Sequence, residues 1–391
     1  MLKISRNSIG TFIILKRLFY FLITLIFFSC ENSHNKKISS SIDLPKNSIV
    51  KYAKGFDIQK FSDHKKLIIR NLSSEENHLT EYILTSKSKN EDVDFKTTIQ
   101  LPISKIVVSS TTHIPMLELL GVENTLVGFQ GTDYISSKKT RKRIDQGFVK
   151  ELGSESSMNT EVLFNLDPDL MIGFSMNKTN KTYNFIENNG IPVLINGDWL
   201  EETPLGRAEW IKFFGVLFDK EKKADSIFKR IESNYYLAKN IAKKNRRSPT
   251  VLSGSIMQNN IWSLPAGESF VAKFLEDANT NYLWKETKGK GSLQLSFESV
   301  FEKAQDADFW LAPGYFSSKN ELLDSNIYYE KFSAFKKNKI YTISSRKGET
   351  GGIIYYELAL TRPDLVLKDI IKITQPDVLP DYELQFFDLM K

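Results

Sequence analysis

The stretch that decides the fold is DKEKKADSIFKRIESNYYLAKNIAKK, residues 219–244. Apolar residues recur in it at every third or fourth position, which predicts one helix of about 25 residues, about 37 Å long. Asp219 is the expected N-cap, and the basic run 243–249 is expected to end the helix. A helix of this length exceeds what a crossover between neighbouring strands needs, so we expect it to join two separate parts of the molecule.

The segments on both sides of this helix alternate short apolar runs with helical patterns, which predicts mostly parallel sheets with helices on their faces. The predicted fold class is α/β, with two Rossmann-like lobes joined by one long helix. Before the helix, strands are predicted at 106–109, 126–129, 170–173 and 193–195, and helices at 113–120, 160–166 and 181–189. After it, strands are predicted at 251–254, 261–264, 309–312 and 340–343, and helices at 268–277, 297–304, 321–336 and 353–374, the last broken near Pro363.

A different pattern precedes the first lobe. Short strand-like runs at 49–52, 67–70 and 81–84 are separated by polar turns, which predicts a small β-meander, a β-rich N-terminal extension of the α/β fold. The predicted organisation is a signal peptide at 1–29, a tether at 30–47, the extension at 48–101, the N-terminal lobe at 102–203, linking helices at 204–248 and the C-terminal lobe at 249–391.

The first thirty residues have the pattern of an export signal. Lys16 and Arg17 precede the run LFYFLITLIFF, residues 18–28, which is too short for a helix of about 20 residues across a bilayer. Its length fits the apolar region of a secretory signal, about 7–15 residues, and a retained membrane anchor stays open as the alternative. The run ends at Cys30 and turns polar at once, which resembles a bacterial lipoprotein signal. We therefore expect diacylation of Cys30 and a flexible tether after it.

The composition is that of an ordinary globular chain: 391 residues, 41% hydrophobic, with a formal charge of +6. One Cys and four scattered His exclude a disulfide scaffold and a Cys-based zinc site, and they leave no cluster of metal ligands. Four of the 53 basic residues and none of the 47 acidic ones lie in the first 29 positions, so the remaining chain is nearly neutral. The net charge therefore gives no argument for nucleic-acid binding, and no resident cofactor or metal is expected.

The sequence lacks the common motifs of enzymes, such as GxGxxG, GxxxxGK[ST], HExxH and GxSxG. His113 follows a predicted strand, so a lipid-anchored hydrolase that uses it as a general base stays open as an alternative of a different class. Glu201 and Glu202 are more typical of a solvated turn than of a glycosidase site, because sequence neighbours on a loop seldom face each other. We therefore expect a binding protein and not an enzyme.

One local pattern occurs in each predicted lobe. Glu161 opens EVLFNLDPDLMIGF, residues 161–174, and Glu298 opens ESVFEKAQDADFWLAP, residues 298–313. In both, the Glu begins a short helix, and an Asp-x-Asp turn then precedes a buried strand. A Glu in the first turn of a helix is favoured by the helix dipole alone, so a purely structural role remains one interpretation.

Six segments carry a family likeness through their order and spacing. They are SKIVVSSTTH (104–113), LLGVENTLVG (119–128), NTEVLFNLDPDL (159–170), ETPLGRAEW (202–210), WSLPAGES (262–269) and RPDLVLKD (362–369). Together with the two lobes, the long helix and the lipoprotein signal, they resemble the helical-backbone substrate-binding proteins of ABC importers over about residues 100–391. These are the periplasmic receptors for iron–siderophore complexes, haem and cobalamin.

The resemblance implies a lipid-anchored protein that captures a metal chelate between its lobes and delivers it to an ABC permease. We expect an iron chelate, a siderophore or haem. Cobalamin is the alternative within the class, and an extracellular binding module without a permease is a third possibility. The resemblance also implies that Glu161 and Glu298 dock onto arginines of the permease, and that the chain is a monomer on the periplasmic side of a bacterial membrane. A stiff linking helix would permit only a modest hinge between the lobes.

The ligand cleft is expected between the lobes, at the carboxyl ends of the parallel strands. Aromatic side chains there would offer flat apolar surface, and arginines would attract the negative charge of a ferric chelate. Trp210 and Trp310 are assigned to the core. The candidate ligand-binding residues are Thr112, His113, Phe129, Gln130, Asp198, Trp199, Arg207, Trp262, Tyr315 and Arg346, with Trp199, Trp262 and Arg346 as first choices.

Overall fold

The computed structural model describes residues 48–72, 79–86, 97–154, 157–174 and 180–391. The predicted signal peptide, Cys30 and the tether lie outside the described residues. No helix within these ranges is long and apolar enough to cross a membrane.

The N-terminal extension is a four-stranded sheet of β1 (Phe56–Lys60), β2 (Lys65–Arg70), β3 (Leu79–Thr85) and β4 (Thr98–Gln100), in that order. The first three strands pair antiparallel, but β4 runs parallel to β3, so the sheet is not the pure meander that the sequence predicts. The predicted strand at 49–52 is wrong. The backbone amides of Lys51 and Tyr52 donate to the Glu209 carboxylate instead of to a neighbouring strand.

The first α/β lobe follows the predicted alternation of strands and helices. Its strands are β5 (Ile106–Val108), β6 (Leu126–Phe129), β7 (Lys150–Glu151), the hairpin β8 (Gly153–Ser154) and β9 (Ser157–Met158), β10 (Leu170–Gly173) and β11 (Val193–Ile195). Five of them form a parallel sheet in the order β11-β10-β5-β6-β7. Its helices are α1 (His113–Leu120), α2 (Lys138–Asp145), α3 (Thr160–Leu166) and α4 (Lys181–Asn188). The sequence prediction did not include α2.

Three helices link the lobes: α5 (Pro204–Glu209), α6 (Ile211–Leu217) and α7 (Glu221–Ala242). With 22 residues, α7 is the predicted long helix, and it buries most of the predicted apolar stripe. The prediction that Asp219 is its N-cap is wrong. Asp219 has a left-handed φ of +53°, and Lys220 is the residue that precedes the first helical residue, Glu221.

The second lobe has strands β12 (Thr250–Ser253), β13 (Ser255–Ile256), β14 (Ile261–Pro265), β15 (Asn281–Tyr282), β16 (Ser292–Ser296), β17 (Phe309–Leu311), β18 (Ile340–Thr342) and β19 (Asp388–Leu389). Its main sheet has the order β15-β12-β17-β18-β19 and is parallel except for the β18–β19 pair. The strand predicted at 261–264 exists as β14. It lies in a separate antiparallel sheet of order β13-β14-β16, and not in the parallel sheet.

The helices of this lobe are α8 (Phe270–Asp277), α9 (Phe297–Ala304), α10 (Lys319–Ser325), α11 (Ser333–Lys336), α12 (Ile354–Leu358) and α13 (Pro363–Thr374). The single helix predicted at 321–336 is wrong, because Asn326 is extended and accepts a hydrogen bond from the Tyr328 amide at 3.0 Å. This contact starts a separate 3-10 turn at Ile327–Lys331. The predicted break near Pro363 is confirmed, since α12 and α13 lie on either side of it.

The linking helices contribute to the cores of both lobes. Trp210 and Phe213 pack against Phe56 of the N-terminal extension, with ring centroids 4.7 and 6.0 Å apart. Further along the chain, Tyr235 and Ala238 of α7 belong to the core of the second lobe. The extension is therefore packed into the first lobe, and the two lobes are held by shared helices.

Candidate ligand-binding cleft

A cavity of about 890 Å³, which we call the main chamber, lies between the lobes. The loops that follow β5, β6 and β10 form one side, at the carboxyl ends of the parallel strands. Residues 352–356 of the second lobe form the other side. The described residues that line the chamber are Ser109, Ser110, Thr111, Phe129, Gln130, Gly131, Tyr134, Ser154, Phe174, Asn180, Lys181, Thr182, Tyr183, Gly352, Ile353 and Tyr356.

Hydrogen bonds among the strand-end loops fix the floor of the main chamber. Ser109 Oγ accepts from the Phe174 backbone N–H at 2.7 Å, which joins the loops after β5 and β10. Gln130 Nε2 donates to the Ser154 carbonyl at 3.1 Å. Lys181 is the charged residue of the described lining, and the other members present hydroxyl, amide, aliphatic and aromatic groups. These groups suit the surface of an organic ligand.

Aromatic rings face the chamber from both lobes. Tyr134, on the loop after β6, is 71% exposed, and Tyr356 of α12 is also exposed. Partial burial raises the pKa of Tyr356, so its phenol is neutral at physiological pH. Both tyrosines offer flat rings to the chamber, and Tyr356 offers a neutral hydroxyl group.

A second cavity of about 330 Å³, which we call the annex, adjoins the main chamber. Ser110, Phe174 and Tyr356 line both cavities, so the two cavities lie side by side at these residues. The other annex residues come from the segment after β11, the linking helix α5 and the helices of the second lobe. They are Thr112, Trp199, Pro204, Arg207, Phe270, Phe274, Tyr355, Ala359, Leu360 and Pro363.

Arg207 is the charged residue of the annex lining. Its guanidinium carbon lies 3.4 Å from the centroid of the Phe270 ring, which is a cation–π contact. Nε donates to the Glu201 carbonyl at 3.1 Å, and Nη2 donates to the Trp199 carbonyl at 2.5 Å. Burial lowers the pKa of Arg207 to about 10, so the side chain remains positively charged at neutral pH.

Asp198 lies behind the annex wall and is completely buried. Its Oδ2 accepts from the Thr112 hydroxyl at 3.2 Å, and its backbone N–H donates to Asn196 Oδ1 at 2.8 Å. Burial raises the pKa of Asp198 to about 6, and the positive charge of Arg207 opposes that rise. The prediction that Asp198 lines the cleft is wrong, since it lies behind the wall and orients Thr112.

The structure brings five predicted residues to the two cavities. Phe129 and Gln130 border the main chamber, and Thr112, Trp199 and Arg207 border the annex. Phe129 ends β6, Gln130, Thr112 and Trp199 follow the carboxyl ends of strands, and Arg207 lies on the first linking helix. Their contact with a ligand stays a prediction.

His113 does not face the cleft. It begins α1, is completely buried, and has its ring centroid 5.5 Å from that of Phe214. Neither ring nitrogen has a hydrogen-bond partner within the described part of the chain, and burial lowers the pKa of His113 to about 3. The prediction that His113 contacts ligand is therefore wrong, and the hydrolase alternative loses its general base.

Trp262 is also placed away from both cavities. It is completely buried on β14, where it stacks on Trp310 with ring centroids 5.1 Å apart. Tyr329 and Phe332 pack against it at 5.7 and 5.9 Å. Because successive side chains of a strand point to opposite faces, this position of β14 faces the core of the lobe. The prediction that Trp262 lines the pocket is corrected: it is a core residue, as Trp310 is.

The last two predicted residues border neither cavity. Arg346 donates from Nε and Nη2 to Asp388 Oδ1, at 3.0 and 2.8 Å, and from Nη1 to the Gln385 carbonyl at 3.0 Å. Its guanidinium is thus used to hold the C-terminal strand, which corrects its predicted role. Tyr315 is 72% exposed, with its ring centroid 6.4 Å from that of Tyr356, beside the chamber and not in its lining.

The cleft contains residues that sequence reasoning missed. The segment GGIIYY, residues 351–356, supplies the second lobe's side of the main chamber. Gly352 lies so close to the Tyr134 loop that an added Cβ would approach the Tyr134 carbonyl oxygen to 2.2 Å. The available signal was a glycine pair shortly before an aromatic pair. Glycines permit close approach of two backbones, and the aromatic residues after them can place rings in the cleft.

Glu161 and Glu298 are both exposed, one on each lobe. Each lies in the first turn of its helix, α3 or α9, after a capping residue: Asn159 accepts from the Val162 amide, and Ser296 accepts from the Ser299 amide. Hydrogen bonds from its own backbone amide and from the Ser296 hydroxyl lower the pKa of Glu298. Neither carboxylate forms an ion pair among the residues that the structure describes.

The family described as periplasmic binding protein matches residues 106–347, more than half of the chain. The chain is 27% identical over 298 residues to an uncharacterized lipoprotein of Methanocaldococcus jannaschii, which covers 74% of this chain and 69% of the relative.

Solved structures of the same fold extend the comparison. A periplasmic heme binding protein from Pseudomonas aeruginosa is 16% identical, with a TM-score of 0.56, over 74% of this chain and 98% of that one. An ABC-type Fe3+-hydroxamate transport protein from Saccharomonospora viridis is 17% identical, with a TM-score of 0.53, over 70% of this chain and 94% of that one. These likenesses show a common fold.

Proposed function

This chain belongs to the periplasmic binding protein family, and we propose that it captures an iron chelate, a siderophore or haem, between its lobes and delivers it to an ABC permease. Like the family as a whole, it is a binding protein and not an enzyme. The observation that carries the proposal is the main chamber of about 890 Å³, which lies between two lobes that share their linking helices.

The chemistry of the chamber supports an organic chelate in preference to a bare metal ion. A bare ion is held by carboxylates, imidazoles or thiolates, whereas this chamber presents hydroxyls, amides and tyrosine rings. Such groups contact the organic shell of a chelate. The heme and Fe3+-hydroxamate proteins of the same fold support iron as the metal that the chelate carries.

A lipid anchor at Cys30 is part of the proposal. The export signal that ends at Cys30 and the lipoprotein name of the Methanocaldococcus jannaschii relative support it. Diacylation would hold the protein at the outer face of the membrane, where an importer receives its substrate. We propose that it acts there as a monomer.

The permease contact is proposed at Glu161 and Glu298. Both are exposed, and each lies at the start of a helix on a different lobe. A permease that binds both carboxylates therefore contacts both lobes. A carboxylate pairs with an arginine guanidinium through two parallel hydrogen bonds, which gives orientation as well as affinity.

The test is uptake of a radiolabelled iron chelate by cells that carry Glu161→Ala together with Glu298→Ala. We expect uptake to be abolished while the affinity of the purified protein for the chelate is unchanged. Asp145→Ala with Asp324→Ala is the control, since it also removes one exposed carboxylate from each lobe, on helices other than α3 and α9, and should leave uptake intact. Normal transport by the first double variant would refute this docking site.

A further inference from the structure

The annex is a mainly apolar side cavity with one charged group in its described lining. Ser110, Phe174 and Tyr356 are shared with the main chamber, whereas Arg207 borders the annex alone. The remaining walls are mainly aromatic and aliphatic, among them Phe270. A ligand group in the annex therefore meets apolar surface on most sides and the guanidinium on one.

Arg207 keeps hydrogen-bonding capacity that the described chain does not use. Nε and Nη2 donate to backbone carbonyls, and Nη1 has no acceptor among the residues that the structure describes. Phe270 covers one face of the guanidinium at 3.4 Å and so fixes its plane. A fixed planar guanidinium with a free N–H edge is the arrangement that recognises a carboxylate.

Neither nearby carboxylate borders the annex. Asp198 is completely buried behind Thr112, and the Glu201 carboxylate accepts from the backbone amides of Lys54 and Gly55, on the side of the N-terminal extension. The charges of both carboxylates oppose the lowering of the Arg207 pKa by burial, but neither carboxylate hydrogen bonds to the guanidinium in the described part of the chain. An anionic group supplied by a ligand would meet Arg207 on a mainly apolar wall, where opposite charges attract more strongly than in water.

We propose that the annex is a subsite for an apolar arm of the captured ligand, a flat ring-bearing group that ends in a carboxylate held by Arg207. This proposal rests on the proposed function in one respect: it assumes that the rest of the ligand lies in the main chamber. An arm that ends in an ammonium group would meet a like charge. A polar arm would lose its water against apolar walls without replacing those hydrogen bonds. The ligands that we propose are therefore molecules in which one end carries a flat ring and a carboxylate.

Three probes that share one ring system test the chemistry of the annex. They are 2-naphthoate, the uncharged 2-naphthalenemethanol and the cationic 2-naphthylmethylammonium. Their binding to the full-length chain in detergent is measured by saturation-transfer difference NMR titration. We expect 2-naphthoate to bind at least tenfold more tightly than either of the other two. Equal affinities for the three probes, or no binding of 2-naphthoate, would overturn the proposal.

Substitutions locate the probe. Ala359→Leu fills the annex and is expected to weaken 2-naphthoate binding at least tenfold. Arg207→Gln removes the charge and should reduce the preference for 2-naphthoate over the alcohol to less than twofold. Arg207→Lys keeps the charge and should retain that preference, which separates loss of charge from loss of folding. Unchanged 2-naphthoate affinity in Ala359→Leu would place the probe elsewhere and overturn the proposal.

A free aromatic acid and an acidic arm of a larger ligand share this chemistry, and a fourth probe separates them. It is 6-hydroxy-2-naphthoate extended at its hydroxyl by a tri(ethylene glycol) chain. An arm of a larger ligand needs a passage from the annex into the main chamber beside Ser110, Phe174 and Tyr356, so we expect the extended acid to bind within threefold of 2-naphthoate. Its exclusion would show a site for small free acids and refute the arm.

The proposed function fails in a different way. If 2-naphthoate binds in the annex but no ferric siderophore and no haem raises the thermal midpoint of the same protein, capture of an iron chelate is refuted and the annex subsite stands. If an iron chelate binds but 2-naphthoate does not, the annex subsite is refuted and the proposed function stands.

Discussion

Trp262 and its neighbours show how much one side chain contributes to the second lobe. Trp262 is completely buried and stacks on Trp310, with Tyr329 and Phe332 packed around both rings. Trp262→Ala would leave a large cavity, so we expect the free energy of unfolding to fall by about 3–5 kcal/mol. Urea denaturation followed by circular dichroism measures the loss.

Trp199→Ala is the control for this prediction. Trp199 borders the annex and is only partly buried, so its removal enlarges an existing cavity and should cost less stability than removal of Trp262. A Trp262→Ala protein as stable as Trp199→Ala would contradict the assignment of Trp262 to the core.

A pocket residue could be predicted from the sequence where its position depends only on the end of a parallel strand. Gln130 follows β6 directly, so its place at the main chamber follows from the parallel sheet. Trp262 and Arg346 could not be placed in this way. Their positions depend on an antiparallel side sheet and on an ion pair with Asp388, 42 residues away, and neither leaves a local signal.

At the scale of elements, two carboxylates hold the N-terminal extension: Glu209 of the first linking helix, α5, and Glu201, three residues before that helix. Glu209 is completely buried and accepts from the backbone amides of Lys51, Tyr52 and Ala53 at 2.6–3.0 Å. Glu201, also buried, accepts from the amides of Lys54 and Gly55, and from Trp210 Nε1 at 3.0 Å. The backbone amides of residues 51–55 therefore donate to side chains and not to a neighbouring strand.

Glu201 and Glu202 form a matched pair for testing this attachment. Glu201→Gln weakens charge-assisted hydrogen bonds to buried donors, and we expect it to lower the free energy of unfolding by about 1.5–3 kcal/mol. Glu202 instead forms surface ion pairs with Lys54 and Lys290, so Glu202→Gln should change the free energy of unfolding by less than about 1 kcal/mol. Urea denaturation of both variants measures the difference, and equal losses would contradict the account.

Most elements of the first lobe could be predicted because local signals mark their ends. Asn159 and Asn180 cap α3 and α4 with their side chains, and both helices begin where the sequence predicts. The start of α7 was missed because Asp219 ends α6 instead: its backbone is left-handed, and the Lys220 amide after it donates to the Gly215 carbonyl of α6 at 2.8 Å. The role of residues 51–55 was missed because the carboxylates that accept from their amides lie more than 140 positions further along the chain.

At the scale of the whole molecule, the lobes also meet through a contact at the cleft. Glu357 of the second lobe is buried and accepts from the backbone amides of Ser136 and Ser137 of the first lobe, at 2.5 and 3.0 Å. Ser136 Oγ donates to the Gly352 carbonyl at 2.9 Å. Burial raises the pKa of Glu357 from its ordinary value of 4.5 to about 7, and the nearby Glu118 adds to the rise.

This contact predicts a pH dependence of stability. Between pH 4.5 and about 7 the folded protein binds the Glu357 proton more tightly than the unfolded chain does. The contribution of this group to stability is therefore complete at low pH and is lost as the pH rises through about 7. Glu357→Gln lacks this titration, so the stability of the variant relative to the natural protein should rise between pH 5 and pH 8.

Urea denaturation of both proteins at pH 5, 6, 7 and 8 measures the difference in stability. The other carboxylates titrate alike in the two proteins, so their contributions cancel in the difference in stability. A difference that stays constant over this range would contradict the raised pKa of Glu357.

The two-lobe architecture follows from the long apolar stripe of α7, and the structure adds that the linking helices belong to both cores. The modest hinge expected from the sequence stays a prediction, which small-angle scattering with and without ligand would check. A large compaction on ligand addition would contradict it. The identity of the ligand could not be predicted, because the lining residues come from both lobes and share no sequence motif.

The central claim is that the cleft captures an iron chelate. Its most direct test is the thermal unfolding midpoint of residues 48–391, which contain both lobes, titrated with ferric siderophores, haem and cobalamin. A ligand that binds only the folded protein raises its stability by mass action, by about 2.7 kcal/mol at a hundred times its Kd. We predict a saturable rise with a ferric siderophore or with haem and none with cobalamin. No rise with any of these ligands, or a rise with cobalamin alone, would contradict the claim.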